Sequence, residues 1–173
     1  MFSPSTQAFT LAVGLPLASV LMAQAPKPAT LPQTKEVPMT TVAKGSFEVT
    51  VAPLSEGARK EAWAPGRMSI DKRFQGDLEG TSQGEMLTAG TETQGSAGYT
   101  AIEKVSGRLQ GRNGTFLLQH FGVMARAVPG EWIVMVIPDS GTGELKGLTG
   151  RMTITITGKQ HAYTLEYHLP DTP

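Results

Sequence analysis

From Lys44 onward the chain alternates apolar and polar residues with a period of two, the spacing of a half-buried β-strand. Phe47, Val49 and Val51 are interleaved with Ser46, Glu48 and Thr50. After a break rich in Pro and Gly over 54–66, a second strand is predicted over 67–75. Met68, Ile70 and Phe74 lie on one side of it, and Lys72 falls on that same apolar side. Residues 78–88 alternate again, with Leu78, Gly80, Ser82, Gly84 and Met86 opposed to Glu79, Thr81, Gln83 and Glu85. Glycines recurring on one face predict strong coiling or a close backbone approach. A strand over 98–110 places Glu103 in register with Tyr99, Ala101 and Val105. The sequence Gly111-Arg112-Asn113-Gly114 follows, and its Asn-Gly pair predicts a tight hairpin because both residues tolerate positive φ. Strands over 115–124 and 131–137 are apolar on both faces, which predicts a cover on their outer side. Residues 151–157 and 161–168 complete a set of eight strands, with one helical turn predicted within 143–148.

Short connections and the absence of helical periodicity predict an all-β, eight-stranded antiparallel up-and-down barrel, because closure removes exposed sheet edges. Such a barrel is just wide enough to be filled by side chains or to hold one small ligand.

Ahead of the barrel, residues 1–25 read as a signal peptide. An uncharged apolar run over 9–25 ends in Ala23-Gln24-Ala25, an A-x-A cleavage pattern. No Lys or Arg precedes that run, and Pro26 follows the cut, so a start at Met39 stands as the alternative. Residues 26–43 read as a Pro-rich linker, and 44–169 as the barrel domain. The first reading places the protein in the periplasm or outside the cell, the second in the cytoplasm. The mature chain carries no predicted membrane span, since the apolar run is too short and is broken by Gly14 and Pro16.

Charge narrows the function classes. Lys+Arg and Asp+Glu both number 15, so there is no basic excess of the kind that marks nucleic-acid binding. The chain has no Cys, which excludes thiolate chemistry and sulfur-ligated zinc. His120, His161 and His168 follow no metal-ligand spacing, and no cofactor or metal is implied. Asp139-Ser140-Gly141-Thr142-Gly143 lacks both the phosphate-loop pattern and the nucleophile-elbow setting, and reads as a turn bonded to its own backbone.

The runs RMSIDKRFQGDLEGTSQGEML, GSAGYTAIEKVSGRLQGRNGTFLLQHFG and IPDSGTGELKGLTGRMTI resemble a bacterial family, domain of unknown function 3224, over about Lys44 to Tyr167. The resemblance implies a barrel similar to those of allene oxide cyclase and the dirigent proteins, and it implies no activity.

Candidate chemistry is therefore sought among polar residues on the apolar side. Glu103 is the candidate acid/base residue, because a carboxylate in an apolar lumen has a raised pKa. The competing reading pairs it with Lys72, as buried charges usually are. Gln119 and His120 point to opposite faces, and whichever points inward joins the lumen. Tyr99 and Tyr163 are candidate ligand-lining residues, each with a hydroxyl at its tip. Glu79 faces solvent unless the glycine face is the outer one, in which case it joins Glu103. Three functions remain open: a lumen that binds a small apolar or amphipathic ligand, an isomerase or cyclase using Glu103 on such a ligand, or a filled, non-catalytic barrel. A homo-oligomer is expected in each, formed through the doubly apolar strands.

Overall fold

A computed structural model describes residues 40–54 and 64–170. The signal-peptide reading, and the linker reading up to residue 39, lie outside the described residues. The described chain forms eight strands: β1 (Thr41–Pro53), β2 (Gly66–Gly76), β3 (Leu78–Gly90), β4 (Ala97–Leu109), β5 (Arg112–Ala125), β6 (Val128–Val136), β7 (Thr149–Thr157) and β8 (Gln160–His168). Each pairs antiparallel with its successor, and β1 pairs with β8 to close the barrel. β1 begins at Thr41, within the stretch predicted as linker.

The predicted alternation decides which side chains face inward. Phe47, Ile70, Phe74, Leu78, Val105, Phe116, Leu118 and Leu165 are all buried. Residues opposed across the ladders share a face, so Val51, Ile70, Gly84, Glu103, Leu118 and Val136 form one inward row running round the wall. The glycines of β3 are close approaches, as their spacing predicted. A Cβ on Gly84 would lie 2.3 Å from the Ile102 carbonyl oxygen and 2.6 Å from the Glu103 Cα.

One end of the barrel is packed shut. The β6–β7 connection carries a 3-10 turn at Gly143–Leu145, and Leu145 and Leu148 are fully buried in the core. Phe47 and Phe74 meet at 5.5 Å between ring centroids, and Tyr163 meets Phe74 edge-on at 5.7 Å. Ser140 Oγ donates to the Ile137 carbonyl at 2.6 Å and accepts from the Leu117 N–H at 3.1 Å. The loop over 139–143 thus serves to hold this plug.

Two turns differ from the sequence expectation. The β4–β5 hairpin turns at Gln110-Gly111, with φ of 44° and 87°, while Asn113 and Gly114 lie inside β5. Gly114 is needed for space rather than for a turn: its Cβ would lie 2.1 Å from the Thr142 carbonyl oxygen and 3.1 Å from Leu145. β6 begins at Val128, three residues earlier than expected, because Arg126 and Ala127 adopt φ of 51° and 63° and close a tight hairpin without Gly or Asn.

Candidate functional site

A cluster of polar side chains crosses the lumen beyond the aromatic packing. Strands β2, β3, β4 and β5 contribute Lys72, Ser82, Glu103 and His120, all buried. The alternation that turns their apolar neighbours inward turns these four inward as well. Lys72 Nζ donates to Glu103 Oε1 at 2.5 Å, and Ser82 Oγ donates to Glu103 Oε2 at 2.6 Å. The Lys72 ammonium also lies 5.1 Å from the centroid of the Phe47 ring, within cation–π range. His120 Nε2 faces Glu103 Oε1 at 3.4 Å. That contact is poorly aligned for a hydrogen bond, and Nε2 is buried without a hydrogen-bond partner. On the other side of the ring, His120 Nδ1 lies 3.4 Å from the Tyr99 hydroxyl, and the two rings meet edge-to-face.

These contacts reverse the expected titration of Glu103. Burial alone raises a carboxyl pKa, but the adjacent His120 imidazole, the Lys72 ammonium and the Ser82 hydroxyl outweigh it and hold Glu103 at about 2. Its side chain is fully enclosed. Glu103 is therefore an ionised, paired carboxylate near neutral pH, which corrects the expectation of a raised pKa. Tyr99 is pushed the other way: burial raises its pKa, and the Glu103 charge adds to the rise. It remains a protonated phenol.

Tyr99 connects this cluster to a pocket at the open end of the barrel. The pocket has a volume of about 160 Å³ and is lined by Met86, Thr88, Tyr99, Gly122, Met124 and Trp132, with Ala97, Gly98 and Val123 completing the wall. Gly122 allows two rings to converge there, since its Cβ would fall 2.5 Å from Trp132 Cδ1 and 2.6 Å from Tyr99 Cε1. A larger cleft of about 560 Å³ runs along the β1–β8 seam. Its wall includes the exposed Ser46, Glu48 and Gln160 and none of the cluster, so it has the character of a solvated groove.

Of the residues singled out in the sequence, Lys72, Glu103, His120 and Tyr99 come together. Glu79 does not: it lies on the exposed outer face and pairs with Arg108 at 2.5 Å. The glycine face is the inner one, so Glu79 cannot join Glu103. Gln119 is also outside, because His120 takes the inward position on β5. Tyr163 is buried at the plugged end, where its hydroxyl accepts from the Leu78 N–H at 2.8 Å; it braces the wall and does not line the pocket. Ser82 and the pocket residues Met86, Gly122 and Trp132 were not singled out. Trp132, within an apolar run, carried the one usable signal, since its indole N–H needs a polar or solvated end.

The profile of a family described as a protein of unknown function, DUF3224, matches residues 43–167. The chain belongs to the DUF3224 family. A crystal structure of a protein of unknown function from this family, from Shewanella oneidensis MR-1, is 45% identical; the match covers 77% of this chain and 100% of that one, with a TM-score of 0.69. No curated protein matches this chain. The family assignment and the barrel agree, and neither brings an activity with it.

Proposed function

We propose that this DUF3224 barrel binds a small apolar or amphipathic ligand at its open end, in the pocket between β3, β4, β5 and β6. The observation that carries this reading is a pocket walled by Met86, Met124, Trp132 and the Tyr99 ring, with Tyr99 backed by a buried ionic cluster. At about 160 Å³ it is close to the size of an apolar cavity that takes up benzene. It suits a single ring or the end of a short chain. The rest of the lumen is occupied by Phe47, Phe74, Phe116 and Leu78, so the ligand enters the mouth and not the whole barrel. Glu103 is enclosed and out of a ligand's reach, which favours binding over the isomerase reading.

Cyclohexanol serves as a probe. Titration into the wild type should give saturable NMR shifts at the Gly98 and Gly122 amides and the Trp132 indole N–H. Gly122→Val should weaken binding at least tenfold by displacing both rings. Unsaturable shifts in the wild type, or equal affinity in the variant, would contradict the pocket.

The outside of the same wall supports self-association. Leu87, Ile102, Phe121, Val123 and Met135 are 39–52% exposed on adjacent strands β3 to β6. One flank of this patch carries the Arg67–Glu85 ion pair, and the other carries the cross-strand neighbours Arg151 and Glu166. Each flank thus holds one charge of each sign, so neither carries a net charge that would repel a second copy brought up by a two-fold axis. A second copy of this chain is the occupant that fits. Light scattering at micromolar concentration should give the dimer mass for the wild type and the monomer mass for Phe121→Lys. A monomeric wild type would reject the assignment.

A further inference from the structure

The polar end of the ligand follows from the placement of protons beneath Tyr99, given that the mouth pocket is the binding site. Glu103 is a carboxylate whose two oxygens already take the Lys72 ammonium at 2.5 Å and the Ser82 hydroxyl at 2.6 Å. In a neutral imidazole one nitrogen carries the proton and the other accepts. A bare Nε2 would set its lone pair against Glu103 Oε1 at 3.4 Å, in a buried site where like-signed electron density is poorly screened. The proton therefore resides on Nε2, and Nδ1 is the acceptor. The Tyr99 hydroxyl, 3.4 Å from Nδ1, is the group that can donate to it. A phenol has one proton to give. Once that proton points at His120, the oxygen offers other partners only lone pairs.

We infer that the mouth pocket selects ligands that join an apolar ring or chain end to a hydroxyl donor, in preference to the matching carbonyl compounds. The order of groups is ligand O–H, Tyr99 oxygen, His120 Nδ1, His120 Nε2 and Glu103. Lys72 and Ser82 hold the carboxylate at the far end. Tyr99 is the contact residue, and His120 and Glu103 are positioning residues that fix which way its proton points.

Matched titrations with cyclohexanol and cyclohexanone test this. In the wild type the alcohol should bind about 3- to 10-fold more tightly, the worth of one net hydrogen bond. Tyr99→Phe should leave ketone affinity within about twofold and remove the alcohol's advantage. His120→Phe frees the Tyr99 proton, so the ratio should fall to one or below. Equal or tighter ketone binding in the wild type overturns the inference while leaving the pocket intact. So does an alcohol advantage that survives Tyr99→Phe. Failure of both probes to bind the wild type removes the pocket reading, and the inference with it.

Discussion

Lys72→Met is expected to destabilise the barrel by about 3–5 kcal/mol, the usual cost of breaking a buried ion pair from one side. The physical cause lies in what remains. Glu103 stays fully enclosed, with Ser82 as its one well-formed hydrogen-bond donor and His120 at 3.4 Å. A carboxylate in that setting either stays charged at high cost or takes up a proton, and its pKa rises from about 2 as the Lys72 charge is lost. The double variant Lys72→Met with Glu103→Gln should recover more than half of the loss. The amide keeps the shape of the carboxylate and an acceptor for Ser82 without a net charge. Urea denaturation of the wild type, both single variants and the double variant gives the coupling directly. Additive losses would mean that the two charges do not stabilise one another.

Acid should expose the same pair. The Glu103 pKa lies near 2 in the folded barrel, against an ordinary value of 4.5. A lowered folded-state pKa means that the unfolded chain takes up the proton first. The stabilisation is therefore complete above about pH 4.5 and drains away as pH falls toward 2. The full shift is worth about 3 kcal/mol. Urea midpoints taken from pH 6 down to pH 2.5 should fall more steeply in the wild type than in the neutral double variant. Parallel curves would show that Glu103 is not held below its ordinary range.

How much of this was legible in the sequence depends on the distance over which each feature is encoded. Alternation is local, and it sufficed to turn Lys72 and Glu103 inward and to count eight strands. The partners of Glu103 are not local. Ser82 opposes Lys72 and Val105 only in the register of β2, β3 and β4. Deciding whether Glu79 or the β3 glycines faced inward required the same knowledge. Glycine gave a second ambiguity, since it serves both positive φ and tight contact. Gly114 reads as a hairpin residue and is in fact a seat for the Thr142 carbonyl and Leu145. At the β5–β6 turn the residues that adopt positive φ are Arg126 and Ala127, which carry no turn signal, so the start of β6 was hidden. The mouth pocket was least visible of all. It is assembled from the ends of four strands, and no segment of the chain contains more than a part of it.

A crystal structure of the full chain soaked with cyclohexanol tests the central claim most directly. The ring should lie between Trp132, Met86 and Met124, with its oxygen within hydrogen-bond distance of the Tyr99 hydroxyl. A pocket filled by its own Met124 and Trp132 side chains, or a probe found only in the groove along the β1–β8 seam, would contradict it.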